Sequence, residues 1–371
     1  MQTRREFLRE IVLGILGVSI FPRLASAAPV SLDGLCYGPY REGQQPGVSY
    51  PSEAQVMEDL NIMKCFAARI RTYSDENILF DIPEFCNNVG IDCYPGAWID
   101  NLSGDNQQVS DIITIANKGF PTTKGLVVGS EVLLRGNVSK ATLISYINQV
   151  KTATSVPVTT AEAWHIWNYD SSADLAAAVD FITIHVHPYW ESPYWTPNLS
   201  IDTAAQHVID RYNQIKAKYP GKQVVIGETG WPTGGTTVGA AVPSVENQKR
   251  FLEEFYDLAS GIPYFIFEAF DEPWKIVEGE VGRHWGVYDK DRLAKRSLKN
   301  LLYRNFSFTK IEREGPNVRL GVSPTFYGDS YTIDRATKLN EWSALTNFTG
   351  KSEVLVPADS LNGFFKAKVE F

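Results

Sequence analysis

Eight short apolar runs, each followed by a longer segment with helical spacing, limit what most of this chain can become. The runs cover residues 35–40, 68–73, 92–98, 125–132, 158–164, 181–188, 223–229 and 264–270. Short apolar runs that alternate with longer amphipathic segments suit the strands of a parallel sheet. Between them, apolar residues recur three and four apart: Val56, Leu60 and Met63 after Ser52, and Leu143, Ile147 and Val150 after Ser139. Two further helical stretches span residues 201–219 and 245–259. Ser52 and Ser139 stand where a side-chain oxygen can cap the first turn, and Pro220-Gly221 stops the helix before the seventh run. Eight βα units match a closed parallel barrel. An open doubly wound sheet would call for a Gly-rich phosphate turn after the first strand, and none is there. The expected fold is α/β, a (β/α)8 TIM barrel over residues 28–305.

The two ends follow other rules. Thr3-Arg4-Arg5-Glu6-Phe7-Leu8-Arg9, an apolar stretch over residues 11–21 and Ala25-Ser26-Ala27 match a twin-arginine export signal with an A-x-A cleavage site. Residues 1–27 are therefore expected to be a leader, and the mature protein periplasmic or extracellular. The apolar stretch is short for a membrane span, so no stable insertion is expected after cleavage. After about residue 306 the helical period disappears, and short β-type runs at 318–322, 330–333, 352–356 and 364–369 predict a small all-β module over 306–371. Its pattern, Tyr331-Thr332-Ile333, Leu339, Trp342, Leu345 and Phe364-Phe365-Lys366-Ala367, resembles short C-terminal β-modules of exported bacterial proteins.

Charge and cysteine usage narrow the partners. A formal charge of −8 disfavours nucleic acid and anionic membrane surfaces. Nine Trp and seventeen Tyr suit stacking on flat, uncharged ligands such as sugar rings. Cys36, Cys65, Cys86 and Cys93 have no C-x-x-C spacing, and buried free thiols are expected, with a Cys86–Cys93 bridge the alternative.

In a (β/α)8 barrel the chemistry sits at the C-terminal strand ends. Strand four ends in Gly129-Ser130-Glu131, strand five in Glu162-Ala163-Trp164-His165 and strand six in His185-Val186-His187-Pro188-Tyr189-Trp190. Strand seven ends in Gly227-Glu228-Thr229-Gly230-Trp231-Pro232, and strand eight leads to Asp271-Glu272-Pro273-Trp274-Lys275. Glutamates on opposing arcs can converge across the mouth, which is what glycoside hydrolysis needs: one carboxyl to protonate the leaving oxygen and one to attack or stabilise the sugar carbon. Their environments are expected to push the two pKa values apart, leaving one protonated. Salt bridging to Arg69, Arg71 or Lys275 is the competing account of such buried glutamates. No cofactor is expected, and no metal. His185 and His187 could chelate from one face of a strand, but the chain's five His form no H-E-x-x-H or comparable cluster with them.

Residues 223–233, through Gly227-Glu228-Thr229-Gly230-Trp231-Pro232-Thr233, resemble the signature of family 17 glycoside hydrolases, which act on β-1,3-linked glucans with retention. Gly34-Leu35-Cys36-Tyr37-Gly38-Pro39-Tyr40 resembles that family's first strand, Val128-Gly129-Ser130-Glu131-Val132 its acid/base strand, and residues 270–275 its eighth. The stretches 160–167, 185–190 and 284–289 look more like the family's bacterial branch. The resemblance implies Glu228 as nucleophile and Glu131 as acid/base, with Tyr37, Glu272 and Lys275 in the surrounding polar shell. The full substrate-binding set expected is Tyr37, Ser130, Glu162, Trp164, His187, Tyr189, Trp231, Glu272 and Lys275. Ser130 departs from the family, which has Asn before the acid/base to contact the sugar 2-hydroxyl.

Three functions fit. A retaining endo-β-1,3-glucanase comes first. A β-1,3-glucanosyltransferase uses the same carboxylates, with Trp190, Tyr194 and Trp195 as candidate acceptor-side aromatics. A glucan-binding protein weakened by Ser130 is third. Each has a β-glucan polymer or oligosaccharide as partner.

Overall fold

The computed structural model describes residues 31–302 throughout, together with the strands Ile11–Ile15, Ser307–Glu314, Asn317–Ser323, Ser330–Ala336, Trp342–Thr349, Glu353–Pro357 and Gly363–Glu370. The chain divides into two compact units, Ser31–Ser297 and Met1–Val30 with Leu298–Phe371.

The first unit is a parallel barrel. Its strands are β1 (Leu32–Cys36), β2 (Ala67–Arg71), β3 in two segments (Asp92–Tyr94 and Gly96–Ala97), β4 (Leu126–Ser130), β5 (Val158–Ala163), β6 (Ile182–His185), β7 (Val224–Thr229) and β8 (Tyr264–Ile266). The sheet runs from the first segment of β3 through β2, β1, β8, β7, β6, β5 and β4 to the second segment of β3, so the two halves of one strand close the ring. Pro95 divides them. It has no N–H for the ladder, but its carbonyl still accepts from Val127 N at 3.0 Å. Strands β4 to β8 are buried along their whole length, as helices outside and packed side chains inside demand.

The helices begin where their caps predict. Ser52 and Gln55 form a reciprocal capping box on Glu53–Lys64, and the Ser139 side chain accepts from Thr142 N on Lys140–Ala153. β1 starts three residues before the apolar run suggests, because Asp33 belongs to it: its carboxylate accepts from Tyr264 N at 2.8 Å and pairs with Arg69 at 2.9 Å. β8 ends at Ile266 rather than 270, although Phe267 N still bonds Thr229 O and Ala269 N bonds Cys36 O. The pairing register breaks between Val127 and Ser130 on β4 and between Ile184 and His185 on β6, both near the C-terminal ends. Such irregularities redirect side chains.

All four cysteines are free thiols; Cys36, Cys86 and Cys93 are buried as expected, whereas Cys65 is exposed at the end of its helix. Among the described residues no helix is long and apolar enough to cross a membrane.

The second unit holds two antiparallel sheets. One is ordered Ile11–Ile15, Gly363–Glu370, Ser330–Ala336, Trp342–Thr349, and the other Ser307–Glu314, Asn317–Ser323, Glu353–Pro357. The export motif and cleavage site lie outside the described residues, while residues 11–15 of the apolar stretch pair with the last strand.

Candidate active site

The end of β4 is built to turn one side chain outward. Gly129 has φ +83° and Glu131 φ +53°, both left-handed, and a Cβ on Gly129 would lie 2.5 Å from Val132 Cγ2. Glu131 thereby leaves the strand and enters the barrel mouth. On β7, Gly227 precedes Glu228 for a different reason. Its φ is ordinary, but a Cβ there would meet Thr183 Cγ2 at 2.3 Å and Arg71 Nη1 at 3.2 Å. The missing side chain lets Arg71 and His185 close on the strand.

Arg71, at the end of β2, is the hub. Its Nη1 reaches His185 Nε2 at 2.8 Å, the Gly227 carbonyl at 3.0 Å and Glu228 Oε1 at 3.1 Å, and its Nη2 donates to Ser130 Oγ at 2.9 Å. His185 Nδ1 lies 2.9 Å from Glu131 Oε1. His187 Nε2 lies 3.1 Å from Glu228 Oε2. One imidazole thus stands between the two carboxyls and another flanks the second. An oxygen of Glu131, a ring nitrogen of His185 and an oxygen of Glu228 all lie within 4.8 Å of one another, a spacing a metal ion could also bridge. The Arg71 guanidinium already touches two of those three groups, so a second cation would meet a fixed positive charge.

These neighbours decide the ionisation. Burial alone would raise Glu228, but His185, the His187 hydrogen bond and Arg71 hold it far below the usual carboxylate range. Burial likewise works against the Glu131 charge, and it takes the His185 hydrogen bond together with the fields of His185 and His187 to outweigh it, leaving that pKa lowered. Both carboxyls of the pair are therefore held low in the unliganded site. This corrects the expectation that one would be kept protonated: two imidazoles and the Arg71 guanidinium close on the pair together. His185 is lowered by burial, whereas His187, only partly buried, is raised by its bond to Glu228.

A cleft of about 330 Å³ opens beside the pair. Tyr40, Tyr73, Trp98, Phe267 and Trp274 give it aromatic walls, Glu272, Lys275 and Arg135 supply polar groups, and Tyr37 and Ser130 also line it. Lys275 is clamped between Glu268 and Glu272, 2.6 Å from the latter. Glu272 Oε1 and Trp274 Nε1 are buried without a protein partner, the kind of groups a sugar hydroxyl satisfies. Gly38 makes room for Glu272, since a Cβ there would fall 2.0 Å from Oε1.

The structure does not gather every predicted site residue at this cleft. Tyr37 lines it but spends its hydroxyl on Asp59 at 3.1 Å, and Ser130 Oγ is taken by Arg71. Glu162 is buried, its carboxylate accepting from Leu133 N at 2.7 Å and Leu134 N at 3.2 Å, so it caps the short helix Val132–Arg135 behind Glu131. Trp164 donates to Glu191 at 2.9 Å, which also accepts from the His187 amide. Tyr189 bonds the Thr236 carbonyl, and Trp231 stacks on Phe251 in the core with its N–H on Val242 O. Of the aromatics on the sixth loop, Trp190 lies beside Trp285 and is partly exposed, Tyr194 is exposed, and Trp195 packs on His207 and Arg211. Arg71 and His185 were not among the predicted site residues. The available signal was alternation, since Arg69 and Arg71 recur two apart on a barrel strand, as do His185 and His187.

A (β/α)8 barrel whose mouth joins two convergent carboxylates to an aromatic-walled cleft has the build of a glycoside-processing enzyme. Residues 34–286 match the BtgE/BtgC glycoside hydrolase domain, and the chain belongs to that family. A glucan 1,3-β-glucosidase of Arthroderma benhamiae is 30% identical over 271 residues, covering 68% of this chain and 86% of the relative. A relative in Aspergillus niger named as a glucan endo-1,3-β-glucosidase is 29% identical over 285 residues, which is 67% of this chain but only 40% of the length of that protein. Among solved structures, the family 17 β-1,3-glucanosyltransferase of Rhizomucor miehei is 31% identical with TM-score 0.63, covering 72% of this chain and 96% of that one. An active-site mutant of that enzyme has been solved with laminaritriose. These three are fungal proteins, whereas the stretches 160–167, 185–190 and 284–289 suggested a bacterial branch.

Proposed function

We propose that the chain is a retaining endo-β-1,3-glucanase in which Glu131 is the acid/base and Glu228 the nucleophile. One observation carries this. One oxygen of each carboxyl lies within 4.8 Å of the other, which fits the carboxyl separation of about 5–5.5 Å in retaining glycosidases better than the roughly 6.5–9.5 Å of inverting ones. Glu228, held as a carboxylate by Arg71 and two imidazoles, attacks C1. Glu131, nearer solvent and ionised in the unliganded site, takes up a proton as the sugar covers the cleft and desolvates it, gives that proton to the departing oxygen and later takes one from the incoming water. Glu272, Lys275 and Trp274 present polar groups to the sugar hydroxyls, and the aromatic walls cover the ring faces.

Transfer to another glucan is the second reading, favoured by the likeness to the Rhizomucor enzyme and by the exposed edge of Trp190. It differs only in which hydroxyl resolves the glycosyl-enzyme. The bacterial-branch motifs, export by the leader and residence in the periplasm or outside the cell belong to the same proposal.

Glu228→Ala should abolish turnover on every substrate. Glu131→Ala should spare the first step with an activated aryl glycoside, whose leaving group needs little protonation. Equal large losses in both variants on that substrate, with glycosylation rate-limiting, would refute the assignment of roles. Product masses from one β-1,3-glucan oligosaccharide then separate the two readings: shorter products alone mean hydrolysis, and longer ones mean transfer.

A further inference from the structure

The imidazole between the two carboxyls has its tautomer dictated by a third group. A guanidinium N–H can only donate, and Arg71 Nη1 sits 2.8 Å from His185 Nε2. A proton on Nε2 would set two donors against each other at that distance. With Nε2 bare, the less favourable contact is with Glu228 Oε1 at 3.3 Å, and there Arg71, 3.1 Å from the same oxygen, offsets the repulsion. The proton then rests on Nδ1, which faces Glu131 Oε1 at 2.9 Å.

We propose that His185 is a positioning residue for the acid/base: Arg71 locks it as the neutral Nδ1–H tautomer, that N–H is committed to Oε1 of Glu131, and the proton Glu131 delivers is carried on Oε2. This rests on the reading of Glu131 as acid/base. Oε2 is the oxygen turned toward Arg135, 4.0 Å away, which lines the cleft with Glu131. During glycosylation the Oε2–H bond breaks, its proton passes to the glycosidic oxygen as the C1–O bond opens, and Glu228 closes on C1. The Nδ1–H does not move. It ends bonded to a full carboxylate, a stronger partner than the neutral acid it began with, so its gain is realised as charge develops on Glu131. The hydrogen bond therefore favours proton donation, and it keeps Glu131 charged in the second step, where it serves as base.

The groups facing this pair come from five strands. Arg71 stands on β2, Ser130 on β4 with Arg135 just beyond it, Glu162 on β5, His187 just past β6, and Glu228 on β7. The His185 donor, His187 and Arg71 favour a charged Glu131, and Glu228 and Glu162 disfavour it. Removing the donor should raise the Glu131 pKa, and the basic limb of kcat/KM, which reports loss of the acid's proton, should move to higher pH.

Two measurements on the full-length protein decide. In the ¹⁵N-labelled wild type, imidazole NMR between pH 6 and 8 should show His185 protonated at Nδ1 and unprotonated at Nε2; a proton on Nε2, alone or in addition, overturns the proposal. In kinetics, His185→Leu should lose about tenfold or more in kcat on a β-1,3-glucan oligosaccharide and much less on an activated aryl glycoside, with its basic limb displaced upward. His185→Asn, whose amide N–H can take the Nδ1 position, should restore most of the rate and return the limb. A His185→Leu profile that superimposes on the wild type, or a His185→Asn no better than His185→Leu, refutes the role. If neither variant folds, the tautomer measured in the wild type decides alone. The two readings fail separately: a proton on Nε2 in an active enzyme sinks the tautomer, whereas a chain with Nδ1–H that cleaves no β-1,3-glucan sinks the function.

Discussion

At the scale of single residues, Ser130 and Glu162 show how position outweighs type. Ser130 Oγ accepts from Arg71, and a Ser hydroxyl falls about 1.5 Å, one bond, short of where an Asn amide nitrogen would reach. In Ser130→Asn the amide oxygen can take over the Arg71 bond while the nitrogen points to the cleft. A contact to the sugar 2-hydroxyl strengthens in the transition state, so kcat should rise several-fold with little change in KM. An unchanged or lower kcat in a folded variant rejects the idea. Glu162 has the opposite problem. Burial outweighs its two backbone bonds and lifts its pKa from 4.5 to about 7. For a carboxyl raised on folding, the cost is absent below 4.5, grows as pH rises to 7 and is constant above. The window is worth about 3 kcal/mol at most. Glu162→Gln cannot ionise but loses one of two acceptors, at about 1 kcal/mol. Urea denaturation at pH 5 and pH 8 should find it less stable than the wild type at pH 5 and level or better at pH 8. A gap that is the same at both pH values would show that Glu162 does not titrate in this range.

At the scale of elements, what the sequence displayed was periodicity, and what it concealed was backbone irregularity. The eight apolar runs located the barrel strands, and capping serines located helix starts, because both signals are local. Glu131 and Glu228 were visible as charges at apolar strand ends, where they are costly to keep without use. The break at Pro95, the inclusion of Asp33 in β1 and the contacts of Glu162 depend on neighbours distant in sequence. Arg71 was legible as a salt-bridge candidate and His185 as a possible chelator, but their meeting at one carboxylate depends on closure of the barrel. The strands Ser307–Glu314 and Trp342–Thr349 were missed for a related reason, since charges in the first and polar residues in the second dilute the β signal. The left-handed turn after β4 offers a test with its own control. Gly129→Ala meets both a positive φ and the Val132 methyl at 2.5 Å, whereas Gly136→Ala, φ +66°, has nothing within 4 Å. Gly136→Ala should cost about 1 kcal/mol and leave activity intact. Gly129→Ala should cost more, roughly 2–4 kcal/mol, and lower kcat by over tenfold as Glu131 shifts. Equal effects from the two substitutions would mean that the geometry of this turn does not set the position of Glu131.

At the scale of the whole molecule, the question is whether the barrel stands without the rest. Its sheet closes within Ser31–Ser297, with β8 bonded to β1 and the halves of β3 meeting β2 and β4, and no strand of the other unit joins it among the described residues. Every side chain assigned to the active site also lies between Tyr37 and Lys275. A barrel of this size buries enough surface to fold alone. The truncated chain of residues 28–305 begins after the expected cleavage site and keeps the helix Arg296–Leu302, whose Leu298, Leu301 and Leu302 are buried. It should unfold in one cooperative transition and keep most of the full-length kcat/KM on short β-1,3-glucan oligosaccharides. Because the proposed catalytic groups and cleft are all retained, any loss should be confined to polymers, which reach beyond the cleft. Unchanged oligosaccharide kinetics with weaker retention on insoluble glucan would assign the β-module a binding role. An insoluble truncation beside a soluble full-length protein would reject independence, and would mean that the barrel needs residues of the second unit to stay folded.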